Sequence, residues 1–283
     1  MKQKYWVFAL FTVLLWALAS VLIRLVFSTF SAFELTAARS LISGVILLVV
    51  CIIKKLPPPK LRDLPIFFVA GAFGFSFSSV VNNFGLAVVT AATANVALAA
   101  TPIFTALIAR FFLKERIRPL GWVFTGVSFV GILILVLWNG ALSINAGVLW
   151  ILLAAITLSI YNLMQRKLTK RYSALQSCTY CFLASAIQMS PFLPSAFRNM
   201  VSAAPIVLLV FIFLMLAASV SYLAWSKAFA IAKRTADVSN FMYLPPFIGA
   251  ILAFAIFREL PDWGTVIGGV IILFGLWMFE KKA

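Results

Sequence analysis

The chain contains 283 residues, of which 64% are hydrophobic and 11% are charged, with a mean hydropathy of +1.10. Because soluble domains carry about a quarter charged residues, this composition excludes a soluble globular protein and predicts a membrane protein. Although the net charge is +16, we predict no nucleic-acid partner. The basic residues form short clusters between apolar runs, as the charges that determine membrane topology do.

Histidine and cysteine usage narrows the chemistry. The sequence has no histidine, which excludes a histidine metal site and a His-based catalytic triad, and we predict no metal and no cofactor. The pair Cys178-x-x-Cys181 could indicate redox chemistry or metal ligation, but no second cysteine pair completes a zinc site. These cysteines and Cys51 are better explained as small apolar residues of helices.

Ten apolar segments follow one another along the chain. A transmembrane helix needs about 20 mostly apolar residues, so we predict an all-α integral membrane protein with ten transmembrane helices. The segments cover residues 5–27, 33–53, 65–87, 92–113, 120–138, 147–165, 175–196, 205–229, 238–257 and 264–280. The largest polar interruption is 54–63, which leaves no room for a soluble domain.

The N-terminus imitates a signal peptide, with Lys2 and Lys4 before an apolar run and Ala17-Leu18-Ala19 within it. We predict no cleavage there, because the apolar run continues to Phe27 and has a counterpart in the second half of the chain.

The second half repeats the first. Residues 16–24 match 158–166 at an offset of 142, and the offset then drifts slowly to 144 at Pro102 and Pro246. This predicts two five-helix units, 1–138 and 147–283, separated by residues 139–146. An odd number of spans in each unit inverts the second copy in the membrane.

The strongest repeated stretch is 90–115, which recurs as 235–259. Each copy has a proline near its middle and a basic–Glu pair after its end. A proline cannot donate a backbone hydrogen bond, so each copy contains a weakened helix. Paired helix defects in corresponding places indicate a transport site, whereas two ordinary kinked helices are the alternative.

The basic residues predict the orientation. Six clusters of basic residues fall on one side of the predicted topology, and the positive-inside rule makes this side, with both termini, cytoplasmic. Arg24, Arg198 and Arg258 lie near the opposite loops.

The pattern of a proline-containing helix, a basic–Glu pair and a glycine-spaced helix resembles the EamA-type permeases of the drug/metabolite transporter superfamily. The residues that carry the resemblance are Pro102, Lys114-Glu115, Gly121, Gly126 and Gly131, then Pro246, Arg258-Glu259, Gly264, Gly269 and Gly275. Trp16 and Arg39 also fit the family pattern. The resemblance implies a basket whose third, fourth, eighth and ninth helices line a central path, with the first and sixth nearby.

Carboxylates would decide coupling to protons, and of seven only Glu34 lies inside a predicted span. The carboxylate in the first helix of the small four-helix relatives is missing here. Arg24, Glu34 and Arg39 fall near the outer ends of the first two helices. They could gate the outer mouth or bind a substrate carboxylate, but we favour an ion pair that neutralises Arg39. Glu115 and Glu259 are expected to pair locally with Arg118 and Arg258 or to cap the next helix.

Polar and aromatic residues on the helices around the implied path are the candidate substrate-binding residues. They are Trp16, Phe75, Asn82, Asn83, Asn95, Thr101, Pro102, Tyr222, Trp225, Ser226, Asn240, Tyr243 and Pro246. Amides buried in a bilayer must face protein or water, so hydrogen bonding between helices is the alternative role for each.

The sequence therefore predicts a permease of a bacterial inner membrane. It would move a small neutral or zwitterionic metabolite such as an amino acid, by alternating access, because no acid or base lies near the middle of the path helices. Export is favoured from the resemblance alone. A cationic-drug exporter and a passive channel are alternatives, and an intramembrane enzyme is not expected. The lipid bilayer and the small-molecule substrate are the predicted partners, and a monomer is favoured.

Overall fold

The computed structural model describes residues 5–112, 119–138, 145–232, 238 and 240–282. Within these ranges the secondary structure is helical and contains no β-strand. The longer helices are α1 Tyr5–Leu22, α2 Ala32–Ile53, α3 Leu64–Gly71, α4 Phe77–Val88, α5 Ala91–Leu98, α6 Thr101–Phe112, α7 Pro119–Leu137, α8 Ala146–Leu168, α9 Ala174–Gln188, α10 Leu193–Ser202, α11 Pro205–Ile231, α12 Pro245–Phe257 and α13 Trp263–Lys282.

Six helical stretches of the described chain are long and apolar enough to cross a membrane. They are Tyr5–Leu25, Ala32–Ile53, Leu61–Val88, Ala91–Ile108, Ala146–Leu168 and Pro205–Ile231. Shorter apolar helices cover Pro119–Ile134, Phe241–Phe257 and Trp263–Phe279. The chain is thus a multi-pass membrane protein, while ten full spans remain a prediction.

Local sequence signals start several of these helices. Ser31 and Glu34 form a capping box at the start of α2, and Ser173 and Gln176 form one at the start of α9. In each, the serine hydroxyl accepts from the third backbone N–H of the helix, and the third side chain accepts from the serine N–H. Asn145 caps α8 through a bond from the Val148 N–H.

Proline divides three of the predicted segments into shorter helices. The segment 92–113 is interrupted between α5 and α6, and Pro102 lies in the first turn of α6. Pro245 begins α12 after a short 3₁₀ helix, Asn240–Tyr243. Ser190–Phe192 likewise separates α9 from α10, so the predicted single helix 175–196 was wrong at that point. A proline in the first helical turn removes an N–H that has no intrahelical partner anyway, which makes it a stable starting point.

A π-helix, Ala72–Ser76, joins α3 to α4. Gly74 allows this segment to lie against α8, because a Cβ at this position would stand 2.7 Å from Cγ of Tyr161. Ser76 donates to Ser185 on α9 at 2.8 Å. π-helical turns often occur at functional sites, and this one packs against α8 and α9.

Helices of the two halves of the chain pack in an exchanged pattern: a contact between two helices has a counterpart between the helices at the corresponding positions of the other half. In the first pattern, α1 packs on α11 while α8 packs on α4, and α1 contacts α12 while α8 contacts α6. In the second, α2 packs on α9 and α7 packs on α13. The α7–α13 contact is close, since a Cβ at Gly131 would lie 2.7 Å from the Gly268 carbonyl oxygen. Small residues permit such approach where helices associate in membranes.

The apolar interior consists of two large clusters. One contains Phe30, Phe211 and Met215, and the other contains Phe75, Phe182 and Trp225. Leu98, at the end of α5, packs against both clusters. The interrupted helix therefore ends between the two clusters.

A polar contact closes one end of the helix bundle. The Tyr172 hydroxyl donates to Asp63 at 2.5 Å and so joins the α8–α9 loop to the start of α3. This hydrogen bond raises the pKa of Tyr172 above its ordinary value, because ionisation of the phenol would remove the proton that it donates to the Asp63 carboxylate.

Candidate transport cavity

A cavity of about 100 Å³ lies between the two apolar clusters. Its lining comes from helices of both halves of the chain. The lining residues are Leu15, Trp16, Ala19, Ser20, Ile23, Arg39, Ser78, Ser79, Asn82, Leu86, Ala94, Asn95, Leu98, Ala154, Leu158, Leu214, Ala217, Ala218, Ser221, Tyr222, Met242 and Pro245. The cavity is smaller than pockets that enclose drug-sized ligands, which are about 300–1,000 Å³.

Helical periodicity explains which side chains reach the cavity. On α1, Trp16 and Ser20 are four residues apart, and Ile23 follows three residues later in the 3₁₀ helix Ile23–Leu25 that continues α1. On α4, Ser78 and Asn82 are also four residues apart. Residues at these spacings share one face of a helix. Each helix therefore presents a narrow polar and aromatic stripe to the cavity.

Hydrogen bonds within the lining join separate helices. The Trp16 indole N–H donates to the Ser221 hydroxyl at 3.1 Å, and its ring centroid lies 5.0 Å from that of Tyr222. Asn95 on α5 donates to the Ser20 hydroxyl of α1 at 3.0 Å. The polar and aromatic side chains of the lining thus connect α1 to α5 and to α11.

Arg39 is the charged residue among the described side chains that line the cavity. It forms no salt bridge within the described part of the chain, where the ion pairs are Arg24–Glu259 and Arg171–Asp63. An arginine near the centre of a bilayer costs about 2.5–3.5 kcal/mol on insertion scales. A cavity that admits water or an anion lowers this cost, which explains why the side chain faces it.

Of the predicted substrate-binding residues, four line the cavity. They are Trp16, Asn82, Asn95 and Tyr222. The first two belong to helices of the first half, and Tyr222 faces them from α11. On the cavity-facing sides of these helices, the four residues lie beside serines that were not among the predicted binding residues.

Five other predicted residues are not among the lining residues, although Trp225 and Phe75 pack against the lining rings of Trp16 and Tyr222. Asn83 lies about 100° around α4 from Asn82 and donates to the Thr36 hydroxyl at 3.3 Å. Trp225 donates to Asn162 at 3.2 Å, and Ser226 accepts from Gln165. Phe75 stacks on a core ring, and Thr101 caps a helix end. These are hydrogen-bonding and packing roles between helices, the alternative that the sequence left open.

The remaining candidates lie near the helix interruptions, in α6, in α12 or in the 3₁₀ helix before α12. Pro102 and Pro246 lie outside the lining, and the cavity is instead lined by Pro245. Tyr243 packs against the cluster that contains Phe30. Asn240 begins the short 3₁₀ helix, and its side chain lies outside the described residues.

The predicted cluster of Arg24, Glu34 and Arg39 does not form. Arg24 pairs with Glu259 at 2.5 Å, so the expected local pair of Glu259 with Arg258 was also wrong. Glu34 accepts from Ser31 at 2.8 Å and from Asn199 at 3.1 Å. The capping box turns Glu34 back toward the helix start, leaving Arg39 without it. Glu115 and Arg118 lie outside the described residues.

Sequence reasoning missed Ser20, Ser78, Ser79 and Ser221, and it expected Arg39 near the outer helix ends, in an ion pair rather than in a gate or a carboxylate site. The spacing of Ser20 from Trp16, and of Ser78 from Asn82, was the signal that could have identified these serines. For Arg39 no such signal existed, because its place depends on how α2 packs against neighbouring helices.

A family model described as "EamA-like transporter family" matches residues 3–137 and again residues 145–280. Together with the apolar helices, these matches define a multi-pass membrane transporter rather than an enzyme. The chain belongs to the EamA-like transporter family, which confirms the resemblance seen in the sequence.

Relatives of this chain are also described as transporters. "Uncharacterized transporter YdfC" of Bacillus subtilis is 29% identical over 264 residues, covering 93% of this chain and 86% of that protein. A "Probable terminal-alkyne amino-acid exporter" of Streptantibioticus cattleyicolor is 26% identical, covering 100% and 95%. An "S-adenosylmethionine uptake transporter" of Rickettsia prowazekii is 32% identical over 191 residues, covering 68% and 63%. Transporters of this family act on small molecules.

A solved structure titled "Crystal structure of protein" shares the fold. It matches with a TM-score of 0.67 and 16% identity, covering 98% of this chain and 96% of the other.

Proposed function

We propose that this transporter exports a small neutral or zwitterionic metabolite, such as an amino acid, by alternating access. The observation that carries the proposal is the cavity, whose described lining combines a guanidinium, amides, hydroxyls and two aromatic rings but contains no carboxylate. Such a lining offers partners for both poles of a zwitterion. Because the cavity is small, a metabolite would enter only when the helices separate on one side.

The relatives support an amino-acid substrate. The exporter from Streptantibioticus is named for an amino acid, and S-adenosylmethionine, named for the Rickettsia proteins, contains an amino-acid group as well. The first name favours export and the second uptake, so the direction rests on the exporter, which matches the whole of this chain.

We also propose that the chain lies in the bacterial inner membrane as a monomer with both termini in the cytoplasm. Two inverted five-helix units, 1–138 and 147–283, would form the transporter. The exchanged helix packing and the two matches of the family model support this organisation. The half-helices at Pro102 and Pro245 would supply the moving elements, since interrupted helices line the binding sites of many transporters.

Counterflow in proteoliposomes tests the proposed function. Vesicles loaded with one unlabelled amino acid should accumulate the same amino acid in labelled form, with saturable initial rates, while liposomes without protein should not. Labelled tetraphenylphosphonium should not exchange, because Arg39 would repel a cation. Non-saturable equilibration would identify a channel, and exchange of the cation without any amino acid would identify the cationic-compound exporter.

A further inference from the structure

Arg39 faces the cavity without a salt bridge to any residue that the structure describes, and we infer that it binds the carboxylate of the transported molecule. Transport therefore requires a free carboxylate on the substrate but does not require an amino group. This inference deepens the proposed function and rests on it.

The chain offers Arg39 no internal counter-ion among its described carboxylates, because each of these is engaged elsewhere. Glu259 pairs with Arg24, and Glu34 accepts from Ser31 and Asn199. The other two also have partners: Asp63 accepts from Tyr172, and Asp262 accepts from the Thr265 N–H at 2.6 Å. An anion that enters the cavity is thus the available partner for this charge.

The neighbours of Arg39 on α2 do not use its donors either. Thr36 donates to the Ala32 carbonyl at 2.7 Å, and Ser43 donates to the Met215 carbonyl at 3.1 Å. Ser40 shares a hydrogen bond with Ser185 at 2.7 Å. The guanidinium is left to face the cavity, and its planar arrangement of N–H groups fits the two oxygens of a carboxylate.

The opposite pole of a zwitterion meets a weaker site. No described lining residue is acidic, so an ammonium group would rely on amide and hydroxyl oxygens and on the faces of Trp16 and Tyr222. Asn95 and Ser20 already bond to each other. The cavity thus binds an anion through a full charge and a cation through dipoles, and this asymmetry makes the carboxylate the essential group.

The rest of the lining is apolar and sets the kind of side chain that fits. Leu15, Leu86, Leu98, Leu158 and Leu214 surround the polar stripe. Burial of an apolar side chain against these leucines is favourable, whereas a second charge would find no partner. The substrate class is therefore a monocarboxylate with an apolar side chain, with or without an amino group.

Competition assays in proteoliposomes test separately whether the carboxylate and the amino group of the substrate are needed for binding. Labelled leucine and labelled phenylalanine are exchanged by the wild-type protein in the presence of matched competitors. The competitors are the amino acid, its amide, and the acid that lacks the amino group (4-methylpentanoate or 3-phenylpropanoate). A site built around a buried donor should discriminate against the amide by at least about tenfold, while the des-amino acid competes within about threefold.

Variants assign this discrimination to Arg39. Arg39→Gln should make acid and amide compete equally, and Arg39→Lys should retain part of the preference for the acid. Arg198→Gln, which removes an exposed positive charge of α10, is the matched control and should behave as the wild type. Size-exclusion profiles show which variants fold, and the wild-type comparison of acid with amide stands without any variant.

The outcomes distinguish this inference from the proposed function. If the wild-type protein exchanges amino acids but the amide competes as well as the acid, or Arg39→Gln keeps the tenfold preference, Arg39 does not read the carboxylate. If none of the proteinogenic amino acids exchanges in the wild type, the proposed function fails, and the inference fails with it.

Discussion

At the scale of single residues, Asn95 lies where three helices meet. It donates to Ser20 of α1 from its position on α5, and its amide lies against Gly249 of α12. A Cβ at Gly249 would overlap the amide nitrogen of Asn95, so the side chain would have to move. A side chain at position 249 would therefore displace the amide of Asn95 from its place in the cavity lining.

We predict that Gly249→Ala slows counterflow by displacing Asn95 from Ser20. The lost hydrogen bond is worth about 0.5–1.5 kcal/mol, which corresponds to a change of about two- to tenfold in a rate or an affinity. Asn95→Ala should have a similar effect, since it removes the same bond. Initial counterflow rates in proteoliposomes of equal protein content measure both.

A double-mutant cycle shows whether the two residues act together. In the Asn95→Ala background, Gly249→Ala should add little, because the side chain that it would displace is gone. Gly126→Ala is the matched control, since a Cβ there meets nothing within 4 Å. Additive effects of the two substitutions would contradict a shared mechanism.

The sequence identified only some of the residues that line this cavity, and the reason is physical. A polar side chain in an apolar helix must face protein or water, and this rule selects Asn82 and Asn83 equally. Only the packing of α4 decides between them, because one residue along a helix turns the side chain by about 100°. Arg39 was misplaced for a related cause, since its supposed partner Glu34 bonds back to Ser31.

At the scale of helices, a side-chain hydrogen bond replaces the backbone bond that is missing at the break between α5 and α6. Pro102 has no N–H to donate to the carbonyl of Leu98, four residues earlier. The Thr101 hydroxyl donates to that carbonyl instead, at 2.5 Å. Thr101 therefore completes the end of α5.

We predict that Thr101→Ala lowers the free energy of unfolding by about 0.5–1.5 kcal/mol, because it removes the hydroxyl that donates to the partly buried Leu98 carbonyl. Thermal unfolding of the purified protein in one detergent measures the change. Thr125→Ala is the control, since the Thr125 hydroxyl also donates to a backbone carbonyl, that of Gly121 at 2.9 Å, but inside an uninterrupted helix. The control should change stability less.

A variant that lacks Pro102 provides a second test of the role of Thr101. In the Pro102→Ala background, the new backbone N–H can donate to Leu98, so Thr101→Ala should cost much less there than in the wild type. The same substitution should slow counterflow by making α5 and α6 one rigid helix. An equal loss of stability from Thr101→Ala in both backgrounds would show that the hydroxyl does not replace the missing donor.

The sequence predicted helix positions better than helix interruptions. Apolar length identifies a span whatever its neighbours are, which is why segments such as 33–53 and 205–229 nearly coincide with α2 and α11. The end of a half-helix depends on which carbonyls find donors after the proline. Ser190–Phe192 illustrates the difference, because apolar residues continue through it while the α-helix ends at Gln188.

At the scale of the whole molecule, the packing of helices follows the repeat in the sequence. Exchanging the two five-helix units turns the contact of α1 with α11 into that of α8 with α4, and both contacts are present. The pairs α2–α9 and α7–α13 map onto themselves under the same exchange. A two-fold relation between the two proposed five-helix units would account for these contacts with one operation.

This relation and the positive-inside rule together predict the sidedness of the loops. With five spans in each unit, the loop before α3 and both termini face the cytoplasm, whereas the loop between α10 and α11 faces outward. Pro58 and Ala204 are exposed residues of these two loops, so a cysteine at either position should react freely with a maleimide. The native cysteines are buried and are replaced in the background protein.

In intact cells, a membrane-impermeant maleimide should label Ala204→Cys and leave Pro58→Cys unlabelled until the membrane is opened. Basic residues make the opposite orientation unfavourable, because Lys54, Lys55, Lys60 and Arg62 would all have to cross the bilayer with a single loop. Labelling of Pro58→Cys alone would reverse the whole topology. Labelling of both positions in intact cells would mean that the number of spans between residues 58 and 204 is even, and this would remove the basis for two inverted units.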